Sequence, residues 1–197
     1  MIDIGVLVSG SGSNLQALID TPDLGASIGV VVADRTGIKA LERAEDAGIP
    51  TVVLPWQEYG SRVEFSKAVA DVVEGSGAKM MVLAGFMRIL APEAIGRFPN
   101  RILNIHPSLL PAFPGSNAVA QALAHGVKVT GVTVHLVDEE VDHGPIIAQR
   151  AVPVLPGDDV TVLHARIQVQ EHDLYPRVVR AFAEGDVSIV GREVIWR

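Results

Sequence analysis

Short apolar runs alternate with helical patterns throughout residues 1–85, and this alternation constrains the fold more than any other feature of the sequence. The runs are apolar at consecutive positions, which is typical of strands that are buried on both faces of a sheet. We predict strands at 4–8, 28–33, 51–54 and 80–84, and helices at 14–20, 37–47 and 61–74. This order predicts an α/β fold with a doubly wound, mostly parallel sheet that carries helices on both faces.

The second half of the chain has longer loops and a long helical stretch near its end. Strands are predicted at 101–105, 131–137 and 146–152, a proline-rich loop at 107–115, and a helix at 117–125. The stretch 158–184 has helical periodicity but contains Pro176, so we expect a kink or a break there. Residues 187–190 and 193–196 predict a closing hairpin. Without a linker or a repeat, the sequence predicts one domain over 1–197.

Composition excludes several classes of function. Hydrophobic residues make up 48% of the chain and charged residues 20%, which is normal for a globular protein with a core. The net charge of −7 argues against a nucleic-acid partner, which needs a concentrated basic surface. The chain has no cysteine, so disulfides, thiolate catalysis and iron–sulfur sites are excluded. The start of the chain has no signal-like run and no stretch is long enough for a membrane span, so we expect a cytoplasmic protein without a membrane partner.

A glycine- and serine-rich segment at 10–14, the glycine loop, lies between the first strand and the first helix. Its two glycines allow the backbone to approach an anion closely, and Ser13 or Asn14 could cap the helix. The third glycine of G-x-G-x-x-G is missing because Leu15 stands there, and the P-loop lysine is also missing. A single phosphomonoester therefore fits better than a dinucleotide, and an ordinary capped turn is the alternative. Asp34 mimics the ribose-binding acid of dinucleotide folds, but we interpret it as a turn residue.

Asn104 and His106 end the fifth predicted strand, two residues apart, so their side chains point to the same face. Ligands bind at the carboxyl ends of parallel strands. An amide donor beside an imidazole suits acyl transfer, because one group stabilises an oxyanion and the other moves a proton. Asp142, in the acidic run 138–142, is the best-placed carboxylate to orient His106 and favour its imidazolium. The alternatives are strand-end side chains bonded to loop backbone and a solvated acidic turn.

The other histidines carry weaker signals. His135 alternates with apolar residues on a predicted strand and could point into the same cleft. No pair of histidines has H-x-x-x-H or H-E-x-x-H spacing. We therefore predict no metal site.

Five segments together resemble the phosphoribosylglycinamide formyltransferases, the folate-dependent formyltransferases of purine synthesis. They are SGSGSNLQAL (9–18), AGFMRIL (84–90), LNIHPSLLPAFPG (103–115), VTGVTVHLVDEEVDHGPI (129–146) and QVQEHDLYP (168–176). The segments follow the family's order and span nearly the whole chain. The resemblance implies a Rossmann-like formyltransferase fold, small-molecule substrates, 10-formyltetrahydrofolate as co-substrate, and a monomer or homodimer. One departure is Val119, where many members carry a histidine near the phosphate.

The resemblance also implies roles for individual residues. Asn104, His106 and Asp142 would be the catalytic set. The phosphosugar would contact Gly12, Ser13, Asn14, Gln168, Val169, Gln170 and Glu171. The folate would contact Arg62, Met87, Arg88, Ile89, Leu90, Asn104, Asp138, Glu139, Glu140, Val141 and Asp142. Phosphosugar binding is expected in the N-terminal half, about 1–100, and catalysis and folate binding in the C-terminal half, about 101–197.

The implied reaction is formyl transfer from 10-formyltetrahydrofolate to the amine of N1-(5-phospho-D-ribosyl)glycinamide in the biosynthesis of IMP. Asn104 and His106 would stabilise a tetrahedral intermediate, and Asp142 would support the imidazolium.

Three rival functions are weighed against this expectation. Methionyl-tRNA formyltransferase would need a further C-terminal domain and a basic face, but this chain ends at Arg197 and is acidic. Formyltetrahydrofolate hydrolase would need a regulatory domain before the first strand, which begins at Ile4. A non-catalytic phosphosugar-binding module would explain the glycine loop but not the three polar residues together.

Overall fold

A computed structural model describes all 197 residues and contains nine strands and six α-helices. The strands are β1 Ile2–Val8, β2 Ala26–Ala33, β3 Thr51–Val53, β4 Met80–Leu83, β5 Ile102–His106, β6 Val129–Leu136, β7 Ile146–Pro153, β8 Val187–Val190 and β9 Glu193–Trp196. The helices are α1 Ser13–Ile19, α2 Lys39–Asp46, α3 Arg62–Gly75, α4 Pro92–Ile95, α5 Ala118–Ala124 and α6 Val160–Glu184. A short 3₁₀ helix, Trp56–Glu58, and α4 were not predicted, because elements this short show no periodicity.

Seven strands form one sheet in the order β3-β2-β1-β4-β5-β6-β7. The five strands from β3 to β5 pair in parallel, and β6 and β7 add antiparallel pairs. The predicted doubly wound, mostly parallel sheet is therefore confirmed. The direction of winding reverses between β1 and β4, and in such sheets the crevice outside the carboxyl ends at this point is the usual ligand site.

Helices cover both faces of the sheet, because successive residues of the buried strands point in opposite directions. Val6 of β1 packs in the core under α1, α2, α5 and α6, whereas Leu7 packs in the core under α3 and α4. Tyr175 of α6 is fully buried, and its hydroxyl lies 2.9 Å from the carbonyl oxygen of Leu83 and 3.1 Å from that of Leu103. This side chain ties the long helix to β4 and β5.

Helix α6 runs through Pro176 without a break, so the expectation of a break there was wrong. Proline removes one backbone hydrogen bond from a helix, but Tyr175, Val178 and Val179 around it are fully buried against the sheet. This tertiary packing offsets the lost bond. No helix combines the length and the apolar character that a membrane crossing requires.

The predicted C-terminal hairpin is present as β8 and β9. It docks on the last strand of the main sheet, because the indole Nε1 of Trp196 donates to the carbonyl of Ile147 at 3.2 Å.

Candidate active site

Four polar side chains meet at the carboxyl edge of the sheet, and we call Asn104, His106, His135 and Asp142 the polar cluster. Asn104 and His106 stand on β5, and His135 of β6 is paired directly opposite Asn104. Asp142 comes from the loop after β6. One carboxylate oxygen, Oδ2, lies 3.3 Å from His106 Nδ1, and the other, Oδ1, lies 3.5 Å from His135 Nε2. The structure thus brings the three predicted catalytic residues together and adds His135.

The loop that carries Asp142 folds back tightly over the strand edge. A Cβ atom at Gly144 would lie 2.0 Å from the carbonyl oxygen of Leu136, so only glycine allows this approach. Asp142 itself has a left-handed backbone with φ 52°, and the amide of Gly115 donates to its Oδ2 at 2.7 Å. Burial raises the pKa of the Asp142 carboxyl, but the adjacent ring of His135, the hydrogen bond from the amide of Gly115 and the charge of His106 outweigh it. The net result is a pKa below the ordinary value.

The imidazole of His106 lies between two hydrogen-bond acceptors. Its Nδ1 faces the Asp142 carboxylate, and its Nε2 lies 2.8 Å from the carbonyl oxygen of Phe113. A carbonyl and a carboxylate can only accept hydrogen bonds, so this environment suits a ring with a hydrogen on both nitrogens. The orientation of the ring is therefore fixed from both sides.

His135 orients the amide of Asn104. Its Nδ1 lies 2.7 Å from the carbonyl of Leu136 and must carry a hydrogen, which leaves Nε2 to accept from Asn104 Nδ2 at 3.1 Å. The other amide hydrogen of Asn104 has only a long contact of 3.4 Å with Asp142. One N–H of Asn104 is therefore firmly held, and the other is available to a ligand.

The glycine loop lies on the other side of the switch point. Gly12 precedes α1 with φ 70°, and no side chain caps the helix, so the expectation that Ser13 or Asn14 caps it was wrong. A Cβ atom at Gly12 would lie 2.7 Å from Cα of Ala40, which explains the need for glycine. Arg43 fixes the loop by donating from Nε to the carbonyl of Ser11 at 3.0 Å.

Two of the four predicted phosphosugar residues of α6 face the glycine loop. Glu171 accepts from Asn14 Nδ2 at 3.0 Å, and both residues are buried. The side-chain amide of Gln168 lies 3.4 Å from the hydroxyl of Ser13. Val169 and Gln170 lie on other faces of the helix: Val169 is 63% exposed, and Gln170 contacts Arg150.

An open cavity of about 410 Å³ adjoins the glycine loop. Most of the residues that line it are polar: they are Ser13, Gln16, Ala17, Asp20, Thr21, Arg43 and His172.

The last residue of β4, Leu83, is paired with Asn104 of the polar cluster. The chain therefore leaves β4 beside the polar cluster, and the segment 87–90 follows shortly after. Met87 and Ile89 are 72% and 50% exposed. The side chain of Leu90 is buried in the core, so only its backbone can meet a folate.

The other predicted folate residues are accessible. Arg62 is exposed at the first turn of α3. In the loop after β6, Glu139, Glu140 and Val141 are exposed, and Asp138 is half-buried.

Comparison with known proteins agrees with this geometry. The formyl transferase family profile matches residues 2–179. A phosphoribosylglycinamide formyltransferase of Mycobacterium tuberculosis is 47% identical over 189 residues, which cover 95% of this chain and 87% of that protein. The crystal structure of glycinamide ribonucleotide transformylase 1 from Symbiobacterium toebii superimposes with a TM-score of 0.97 at 51% identity, and covers 100% of this chain and 94% of that one.

This chain belongs to the phosphoribosylglycinamide formyltransferase family. A human trifunctional purine biosynthetic protein, adenosine-3, is also similar, with 48% identity over 94% of this chain, but the chain spans only 19% of that protein's length.

Val119 is buried in the core, where it makes apolar contacts. Asp34 lies in a bend after β2, so the prediction of a turn residue is confirmed. Its carboxylate is also fully buried and bonded to Arg35 and Arg88, and therefore has no exposed atom with which to bind a ribose.

Sequence reasoning gave His135 only a weak signal, because its pairing with Asn104 across β5 and β6 depends on strand register. The alternation of His135 with apolar residues was the signal that indicated a side chain pointing into the cleft. No group of three or more His, Asp or Glu side chains in this chain is arranged to hold a metal ion.

Proposed function

We propose that this formyltransferase moves the formyl group of 10-formyltetrahydrofolate to the amine of N1-(5-phospho-D-ribosyl)glycinamide, a step of de novo purine (IMP) biosynthesis. The observation that carries the proposal is the polar cluster, in which the carboxylate of Asp142 lies 3.3 Å from the imidazole of His106 and 3.4 Å from the amide nitrogen of Asn104. Relatives named for this reaction support the choice of substrates. The substrates are small molecules, and the net charge of −7 is unfavourable for a nucleic-acid partner.

The attacking group is the amine of the substrate, so the protein needs no nucleophile of its own. Attack on the formyl carbon produces a tetrahedral oxyanion. The available N–H of Asn104 donates to this oxygen, an effect worth about 2.7–4 kcal/mol for comparable donors. The imidazolium of His106 also stabilises the negative charge and gives its proton to the folate nitrogen as the bond from that nitrogen to the formyl carbon breaks. The proton that the attacking amine loses returns to the imidazole, so the ring ends in its starting state.

Asp142 acts on His106 rather than on the substrate. Its carboxylate, held by the amide of Gly115, keeps the imidazole oriented and favours the charged ring. His135 holds one N–H of Asn104, which leaves the second N–H to donate to the oxygen of the reacting carbonyl. The proposal assigns no step to a metal.

The two substrates approach from opposite sides of the polar cluster. The exposed side chains of Met87, Ile89 and Val141 form an apolar wall for the flat pteridine. The uncapped start of α1 after Gly12 leaves backbone N–H groups for the phosphate. Candidate contacts for the ribose and glycinamide are Gln168 and Glu171 of α6.

An absorbance assay of folate deformylation, with and without glycinamide ribonucleotide, tests the function. We expect deformylation only when the amine is present, with one formylated product formed for each folate released. Deformylation at the same rate without the amine would indicate a hydrolase. Binding of the phosphosugar in a calorimeter without any turnover would indicate a non-catalytic module.

A further inference from the structure

Asp34 carries a fully buried carboxylate at the carboxyl end of β2, beside the switch point of the sheet. Arg35 binds both of its oxygens at 3.1 Å, and Arg88 donates from Nε at 2.6 Å. Burial raises the pKa of Asp34, but these bonds outweigh it and the net pKa lies below the ordinary value. The carboxylate is therefore charged and fully partnered.

Arg88 connects this carboxylate to the segment 87–90. Its guanidinium lies over the ring of Trp56, 5.2 Å from the centroid, which favours a planar cation. Trp56 is itself fixed, because its ring packs edge-on against Phe65 and its amide donates to the carbonyl of Asp34 at 3.1 Å. The side chain of Arg88 is thus held from both sides.

Ser9 anchors the neighbouring residue of the segment, since its oxygen accepts from the amide of Met87 at 2.9 Å. The buried carboxylate of Asp34 reaches the segment through the hydrogen bond from Arg88. Arg35 differs, because its hydrogen bonds go only to Asp34 and it belongs to the turn after β2.

We propose that Asp34 is a positioning residue for the folate: through Arg88 it sets where the segment 87–90 stands at the edge of the sheet. The inference rests on the proposed function, which places the folate against this segment. Asp34 cannot contact a ligand itself because none of its side chain is exposed. An effect of Asp34 on folate binding must therefore pass through the segment.

Steady-state kinetics of Asp34→Asn, with Arg35→Met as a matched control, test the proposal. The control removes an arginine from the same carboxylate but leaves the segment 87–90 attached. We expect Asp34→Asn to raise the KM for 10-formyltetrahydrofolate about tenfold, which is about 1.4 kcal/mol. The KM for glycinamide ribonucleotide and the kcat should change less than about twofold. Arg35→Met should change neither KM by more than about twofold.

Arg88→Met is the second variant, because this partly exposed side chain can be removed while Arg35 still neutralises Asp34. The double variant Asp34→Asn/Arg88→Met should be no worse in folate KM than the worse single variant. The proposal is overturned if Asp34→Asn leaves the folate KM unchanged, if Arg35→Met raises it equally, or if both substrate KM values rise together.

Calorimetric binding of tetrahydrofolate to the same variants gives a readout that does not need turnover. Weaker binding to Asp34→Asn than to Arg35→Met supports the proposal, and equal binding overturns it. If the wild-type protein binds tetrahydrofolate but does not transfer the formyl group, the proposed function is refuted and the inference about Asp34 is still tested by binding.

Discussion

The polar cluster and the glycine loop lie at the same edge of one sheet, but the chain holds them in different ways. In the polar cluster, side chains from two strands and a returning loop are mostly buried and bonded to one another. The glycine loop offers an uncapped helix start beside an open cavity. Groups that move a proton need their orientation fixed before the substrate arrives, whereas a phosphate can be met by backbone N–H groups. In the proposed function, formyl transfer therefore needs particular side chains in fixed positions, whereas phosphate binding needs a particular backbone conformation.

The largest effect is expected at the polar cluster. His106→Ala removes the proton carrier, so we expect kcat to fall by about 10²–10⁴-fold while both KM values change less than about threefold. Steady-state kinetics measure this, with His164→Ala, an exposed residue of α6, as the control. A near-normal kcat in His106→Ala would show that the cluster does not perform the chemistry.

A substitution in the glycine loop should change the KM for the phosphosugar more than it changes kcat. At Gly12, with φ 70°, an added Cβ meets the backbone of Ala40, so Gly12→Ala must displace the loop. We expect the KM for the phosphosugar to rise at least about tenfold, with a smaller change in kcat. The matched control is Gly37→Ala, which has φ 69° but no neighbour within 4 Å. This control should lose only about 1 kcal/mol of stability, and an equal KM effect in both variants would contradict the account.

Acid should weaken the cluster through Asp142. A carboxyl whose folded pKa is lowered stabilises the fold above its ordinary pKa and loses that contribution as the pH falls through the folded value. The stability difference between wild type and Asp142→Asn should therefore be constant above about pH 5 and narrow below about pH 4. Urea unfolding at several pH values measures this, and a difference that widens on acidification would contradict the lowered pKa.

The smallest effect is expected where the C-terminal hairpin supports the loop of Asp142. Arg192 donates to the carbonyl of His143 at 2.7 Å, and the ring of His143 lies 2.7 Å from Asp138. Arg192 and His143 are exposed, so Arg192→Met should cost at most about 1 kcal/mol, or about a fivefold change in kcat/KM. Arg177→Met, in an exposed ion pair on α6, is the control and should leave kcat/KM unchanged. Equal changes in kcat/KM in the two variants would show that the hairpin does not support the loop of Asp142.

Local patterns predicted the strands of the sheet and the longer helices, because buried strands and amphipathic helices leave a periodic signal. Contacts between residues far apart in the chain leave no periodic pattern in the sequence, so they could not be predicted. The pairing of His135 with Asn104 depends on the register of β5 and β6, and the bond between Asp34 and Arg88 joins residues 54 positions apart. The break expected as one alternative at Pro176 is absent, because burial in the core overrides a local helix-breaking rule.

A double-variant cycle on kcat tests most directly whether His106 and Asp142 work as one unit. The account predicts that His106→Ala and Asp142→Asn each lower kcat by at least about a hundredfold, and that the double variant is no slower than the slower single variant. Fully multiplying effects, or an Asp142→Asn variant with wild-type kcat, would contradict it.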